Sequence, residues 1–331
     1  MEGNSNGATP AGATPAEMPS TEALLASRLL LVTGKGGTGK TTFAAALAVL
    51  GALKGRRTVL CEVDSQRPSM ASVFGVEPRF DPITVRPQLD LSNVSWNGAL
   101  RSYLHTLVPS NRVVGLILSN AIVGRFLDFT PGSREMVVLS AIGEMCHKYD
   151  LVVVDMPASG HAFSLLDITR SALGLFRSGP VRTRAGQLRE LLVDAGTRMV
   201  FVALPEEMVV NETIETFHRM QRQGMLSGLP AMYLNRATLP SLTDAERDLL
   251  ARLGAQPLDD LQQEFVRAGR WEDELEQGTA NARDRLAEAM GTAPVLVPPA
   301  PPGGIPRDVV EAVAVVLGRQ VGITRRELKW T

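Results

Sequence analysis

Short unbroken apolar runs punctuate this chain. Arg28–Thr33 (RLLLVT), Thr58–Val63 (TVLCEV), Leu151–Val154 (LVVV) and Met199–Leu204 (MVFVAL) each stop at a glycine, a proline or an aspartate. Ala231–Leu234 and Pro294–Val297 are weaker copies. Runs without alternation suit strands covered on both faces, as in a parallel sheet. Helical patterns separate most of them. Thr41–Lys54 is rich in Ala and Leu and runs into Gly55, a suitable residue just past a helix end. Glu206–Met225 is a second helix. Thr243 and Glu246 form a capping box opening a third. Leu258–Met290 is long and amphipathic, with Leu258, Leu261, Phe265 and Leu275 roughly on one face, and Val309–Leu317 is the last. This alternation predicts an α/β fold, a doubly wound and mainly parallel sheet. Helical insertions near residues 100–145 and 168–194 interrupt it. Residues 1–24 are dominated by Gly, Ala, Pro, Ser and Thr and are expected to be a disordered tail. One domain over 25–320 and a C-terminal tail over 321–331 complete the expected organisation.

Composition narrows the function classes. Among 331 residues, 34 Lys and Arg balance 35 Asp and Glu, and aromatics are only 5%. That excludes a mainly electrostatic nucleic-acid binder and leaves little for base stacking. No apolar run approaches the ~18 residues a membrane span needs. The first basic residue is Arg28, so neither a signal nor a transit peptide is expected, and a cytoplasmic location is the default. Cys61 and Cys146 have no zinc spacing and are expected to be buried free thiols. Only five residues are lysines: Lys35, Lys40, Lys54, Lys148 and Lys329. Two of them fall within one six-residue stretch, which points to a chemical need for lysine there.

That stretch is Gly34-Lys35-Gly36-Gly37-Thr38-Gly39-Lys40-Thr41-Thr42, between the first strand and the first helix. It satisfies the phosphate-loop pattern G-x-x-x-x-G-K-[ST]. Glycines let backbone N–H groups converge on an anion, and the helix N-terminus adds partial positive charge. Lys40 would reach the β- and γ-phosphates of ATP, and the Thr41 hydroxyl would serve Mg²⁺. A chance match in a Gly-rich turn would lack the strand before and the helix after. Lys35, just past the first glycine, marks the deviant Walker A subgroup, which K-G-G-T-G-K-T-T resembles closely. In that subgroup the early lysine crosses a dimer interface to the partner's nucleotide; otherwise Lys35 is a solvated surface lysine.

Two carboxylates follow strands. Asp64 ends the second apolar run and is the candidate to orient or deprotonate water, its alternative being a loop cap. Asp155 follows four apolar residues in the Walker B manner, where a carboxylate holds Mg²⁺ through its water shell. Next come Met156-Pro157-Ala158-Ser159-Gly160-His161. Gly160 would allow backbone approach to a γ-phosphate, while His161 is open between a switch residue and an ordinary surface histidine.

Together these segments resemble the arsenical-pump and tail-anchored-protein-targeting ATPase family over about residues 28–318. The family's second switch reads D-x-A-P-T-G-H; here it is Asp155-Met156-Pro157-Ala158-Ser159-Gly160-His161, one residue shorter. Thr130-Pro131-Gly132-Ser133-Arg134-Glu135 is similar to its P-G-x-x-E segment. Leu204-Pro205-Glu206-Glu207 with Asn211-Glu212-Thr213 is similar to its P-E…E-T helix start. The resemblance implies that Asn235, at a strand end, and Pro298, in a loop after the last strand, lie near adenine. It implies catalytic roles for Asp64, Lys35 and Lys40, and ATP on Gly34 to Thr42 and Gly160. It places Mg²⁺ with Thr41 and Asp155. A homodimer is the expected assembly, or a heterodimer with a paralogue, with a hydrophobic protein client.

The departures are specific. The first switch is Asp64-Ser65-Gln66-Arg67-Pro68 where the family has D-P-A-H, and neither a C-x-x-C zinc clamp nor a metalloid-binding cysteine triad is present. The apolar stretch Val113–Phe129 is either ordinary core or a client groove, as the family's client helices are inserted there. Two other functions compete: a MinD/ParA-like positioning ATPase, which shares Lys35, and a nucleotide-binding regulatory subunit paired with a paralogue.

Overall fold

The computed structural model describes residues 18–328 apart from 64, 66–67, 108–109, 111, 113 and 117–131. Eight strands form one sheet, in the order β3-β4-β2-β5-β1-β6-β7-β8. They are β1 (Leu29–Thr33), β2 (Thr58–Val63), β3 (Ile83–Arg86), β4 (Leu89–Val94), β5 (Leu151–Asp155), β6 (Thr197–Ala203), β7 (Ala231–Asn235) and β8 (Val295–Val297). Every pairing is parallel except β3 with β4. Six of the eight fall on the apolar runs expected to be strands.

The reason those runs do not alternate is visible in β1. Leu29 and Leu31 enter one core, and Leu30 and Val32 enter the other. On the second side lies α2 (Lys40–Leu53), buried from Phe43 to Ala52. Each fully buried leucine of such a layer stabilises the fold by roughly 1.5–3 kcal/mol. The first side is covered by α5 (Ser133–Met145), α6 (Ser159–Leu175), α7 (Pro180–Val193) and α8 (Glu207–Arg222). Helices on both faces leave the C-terminal tips of the parallel strands as the open edge, where such sheets bind ligands.

Four features differ from the sequence reading. The hairpin β3–β4 was not expected, because β4 reads Leu-Asp-Leu-Ser-Asn-Val and its polar residues mask a strand. Gln88 takes a left-handed turn conformation (φ 62°), and Thr84 Oγ1 donates to Asp90 Oδ1 at 2.6 Å across the hairpin. At the N-terminus, α1 (Thr21–Ala26) buries Leu24 and Leu25, so ordered structure starts inside the expected tail. At the other end, α11 (Pro306–Gly318) is followed by a short 3₁₀ turn and by α12 (Arg325–Leu328). Leu328 is buried there, and Lys54 Nζ donates to Val321 O at 2.7 Å, so residues 321–328 pack on the domain. The fourth concerns the long helix α10 (Asp260–Met290). Leu261, Phe265 and Leu275 lie on its exposed face, because its first half packs mainly on α9 (Asp244–Leu253) through other residues. There Arg247 pairs with Asp273 and Glu276, and Leu250 closes on Gly269.

The insertions near 100–145 and 168–194 are helical where described: α4 (Trp96–Leu107), α5, α6 and α7. Most of the apolar stretch 113–129 lies outside the described residues, as do residues 1–17. The capping box opening α9 and the glycine end of α2 (Gly55, φ 78°) match the sequence reading. Cys61 and Cys146 are free and buried, and burial raises both thiol pKa values, that of Cys146 to about 12. Among the described residues no helix is long and apolar enough to cross a membrane.

Phe43 ties α2 to the sheet. It is fully buried and tilted against Tyr233 with ring centroids 5.1 Å apart. Phe43→Ala is expected to lower unfolding free energy by about 3–5 kcal/mol. Chemical denaturation checks this; a loss below about 1 kcal/mol would mean the two layers are not coupled there.

Candidate functional site

The turn from β1 into α2 brings its backbone close to the neighbouring strands. β1 lies between β5 and β6, so its C-terminal end emerges at the centre of the sheet. Gly34 has φ 151°, and a Cβ there would stand 2.2 Å from the Val202 carbonyl oxygen on β6. Gly39, immediately before α2, has φ 99°, and a Cβ would stand 2.5 Å from Asn235 Nδ2. Glycine is therefore required at both ends of the loop for positive φ and for close approach.

The loop is braced from inside and out. Thr38 Oγ1 and Lys40 Nζ both donate to Lys35 O, at 2.9 and 3.0 Å. Asn235 Nδ2 donates to Thr38 O at 2.8 Å, and Asn235 Oδ1 accepts from Arg236 N. The Asn235 side chain thus holds the loop from the tip of β7. Val32 pairs with Asp155 across β1–β5, and Glu62 pairs with Asp155 across β2–β5, so both carboxylates stand at the same edge as the loop.

Thr41 Oγ1 donates to Asp155 Oδ2 at 2.6 Å, whereas Asp155 Oδ1 is buried with no partner among the described residues. Burial raises the Asp155 pKa to about 6, against the opposing hydrogen bond from Thr41 and the charge of Lys40. Burial also lowers the Lys40 pKa, with Asp155 and Glu212 acting the other way. A hydroxyl and a carboxylate with an unsatisfied oxygen form a hard oxygen donor set, which fits Mg²⁺. No group of three or more His, Cys, Asp or Glu suited to a metal occurs among the described residues. Such a cation would take its remaining ligands from phosphate and water, as Mg²⁺ does.

The other expected residues distribute as follows. Gly36, Gly37 and Thr42 belong to the loop and the first turn of α2, and Gly37 has φ 84°. Gly160 opens α6 with nothing near its missing Cβ, and His161 beside it is exposed. Pro298 follows β8 and lines a cavity of about 520 Å³ with Pro299, Pro301 and Val315. Asp64 lies outside the described residues. Its neighbours show how that loop is held: Asn93 Nδ2 donates to Ser65 O at 2.8 Å, and Glu62 accepts from Ser69 N and Ser69 Oγ at 2.8 and 2.9 Å.

Sequence reasoning missed Glu62, Asn93 and Glu212 as site residues. Glu62 had a usable signal, as a lone charge inside an apolar run; burial raises its pKa, with the Ser69 and Met70 donors opposing. Glu212 was noticed only as part of a motif, and its contact with Lys35 has no sequence signature.

The Asp155 pKa carries a pH consequence. A carboxyl whose folded pKa is raised contributes stability that is fully present below its unfolded value near 4. That contribution is lost as pH rises through about 6. With chelator present, Asp155→Asn is therefore expected to be more stable than wild type above pH 6, by about 2–3 kcal/mol at most. The difference should vanish below about pH 4. Thermal melts across pH check it, and equal stability at pH 8 would contradict the assigned burial.

Comparison with known proteins places these features. Residues 27–178 match the anion-transporting ATPase family, from β1 through the phosphate loop and Asp155 to the end of α6. The ATPase BagA of Mycobacterium tuberculosis is 31% identical over 218 residues, covering 61% of this chain and 63% of BagA. A protein of Aquifex aeolicus named for the arsenical pump-driving ATPases is 27% identical over 156 residues, 45% of this chain and 51% of its own length. The ATPase ASNA1 homolog 2 of Paramecium tetraurelia is 25% identical over 142 residues, 42% of this chain and 43% of its own length. This chain thus spans less than two thirds of these relatives. The matched segment holds the glycine loop, Lys35, Lys40, Thr41 and Asp155 on an eight-stranded, mainly parallel sheet, and over residues 27–178 the chain is similar to the anion-transporting ATPase family.

Proposed function

We propose that this protein is a Mg²⁺-dependent ATPase whose nucleotide cycle switches a dimer and, with it, a helical surface for a partner or client protein. One observation carries the reading: the Thr41–Asp155 hydrogen bond at the mouth of the glycine loop, with a second lysine, Lys35, five residues before Lys40. ATP would lie with its phosphates on the N–H groups of Gly34 to Thr42. Lys40 would contact the β- and γ-phosphates as a point charge. Mg²⁺, held at Thr41 and Asp155, would neutralise charge developing on the phosphoryl oxygens.

Asp64 is the residue assigned to orient the attacking water. Gly160, in the second switch, offers backbone without a side chain next to the γ-phosphate. Pro298 would flank the base. Asn235 would act on the base side too, through the loop that it braces. Lys35 would reach the nucleotide of the partner subunit across a two-fold interface. ATP then binds the closed pair more tightly than the open one, and that difference in affinity shifts the population until hydrolysis removes it.

The class of anion is a separate matter. With both cysteines buried and their thiol pKa values raised by burial, arsenite has no thiolate ligand set among the described residues. A cytoplasmic protein–protein switch is the better reading. The retained alternatives are a positioning ATPase of the MinD/ParA kind and a regulatory subunit that pairs with a paralogue.

Two substitutions test this. Lys40→Ala is expected to lower Mg²⁺-dependent ATP hydrolysis at least ~100-fold, equivalent to about 2.7 kcal/mol of transition-state stabilisation. Unchanged turnover would sink the assignment of the loop. Lys35→Ala is expected to bind nucleotide almost as wild type does, yet to lose closure with a non-hydrolysable ATP analogue and most hydrolysis. Small-angle scattering beside a nucleotide titration reads both. If the variant still closes and hydrolyses at the wild-type rate, the protein is a generic ATPase; if closure needs an added paralogue, the partner is not a second copy.

A further inference from the structure

Lys35 already has a partner within its own chain. Its Nζ lies 3.3 Å from Glu212 Oε2, and Glu212 stands on the second turn of α8. The other oxygen of the same carboxylate, Oε1, accepts from Ser159 Oγ. Ser159 N donates to Gly34 O at 3.2 Å. One carboxylate therefore joins three segments: the start of the glycine loop, the first turn of α6 just after Asp155, and α8. Nothing in the proposed reaction uses it.

The position of the charge is what matters. Glu212 is close enough to Lys40 to act on that amine as well, alongside Asp155. A negative group that pairs with one lysine of such a loop and acts on the other takes the electrostatic part of a phosphate. The contact itself is soft. The two side chains are 33% and 38% exposed, and an ion pair that open is worth little by itself and is screened by salt. It can be displaced by a more highly charged competitor without disturbing the core.

We infer that Glu212 is the positioning residue of Lys35: it holds the lysine within its own chain, and the phosphates of a nucleotide on the loop compete with it, so that nucleotide binding releases Lys35. This rests on the reading of the loop as a nucleotide site. Because Glu212 also binds Ser159, its displacement would free the first turn of α6 in the same step. The segment after Asp155 and the loop lysine would then respond to phosphate together.

The test uses the scarcity of lysine. In the full chain, peptide-resolved acylation of lysine amines is compared between wild type and Glu212→Gln, with Lys54 and Lys148 as internal controls. Gln keeps an acceptor for Ser159 and removes the charge. Lys35 is expected to acylate about threefold faster or more in the variant, with the controls unchanged. The same variant is expected to bind ATP about three- to tenfold more tightly, and Glu212→Asp to restore part of the wild-type behaviour. A wild-type arm needs no variant: raising salt should speed acylation of Lys35 selectively, because it screens the pair.

Equal Lys35 rates in wild type and Glu212→Gln, or no selective salt effect, would overturn the pairing. Faster Lys35 acylation with unchanged ATP affinity would overturn the competition. Wild type that binds no ATP, while Lys35 still responds to Glu212→Gln, would instead overturn the proposed nucleotide function and leave the pair itself established.

Discussion

The close approach of one backbone turn to its neighbours organises this structure. β1 ends at the centre of the sheet, flanked by β5 and β6, and the chain must turn there into α2 with Val202 O and Asn235 on either side. A side chain would be strained at Gly34 and Gly39, so backbone comes close to its neighbours at both ends of the turn, in the manner of loops whose N–H groups converge on an anion. The packing that forces the turn inward also supplies its chemistry. Asp155 is brought beside Thr41 because β5 pairs with β1, and Asn235 is brought over Thr38 because β7 lies one strand further out.

Burial at the strand tips sets the electrostatics. Asp155 and Glu62 are neighbours on adjacent strands, and burial raises the pKa of both carboxyls. Lys40 is shifted the opposite way by burial, so charged forms on both sides of the site are disfavoured until a counter-charge arrives. A divalent cation and a polyphosphate would supply both counter-charges at once. The fold therefore keeps a site under electrostatic tension that an arriving counter-charge would relieve.

The elements around this site differ in how firmly they are held. The two cores fix α2, α5 and the central strands through fully buried aliphatic side chains. The segments near the loop are held by a few polar side chains: Asn93 with Ser65, Glu62 with Ser69, Glu212 with Lys35 and Ser159. Polar contacts of this kind exchange readily with water or ligand, whereas the apolar layers do not. Loops held this way can move while the sheet stays rigid.

The amino-acid sequence by itself determined the parallel sheet, because β1, β2, β5, β6 and β7 read as unalternating apolar runs that only a doubly covered sheet accommodates. It also determined the glycine loop with Lys35, Lys40 and Thr41, whose pattern is local and contiguous. The capping box of α9 and the buried thiols were legible for the same reason. What is local in space but distant along the chain was decided by the tertiary structure. Strand order brought Asp155 to Thr41 across 114 positions and Glu212 to Ser159 across 53. Leu261, Phe265 and Leu275, read from the sequence as roughly one apolar face of α10, are exposed. Periodicity tells which side of a helix is apolar, and only the packing of α9 and α8 decides which side is covered.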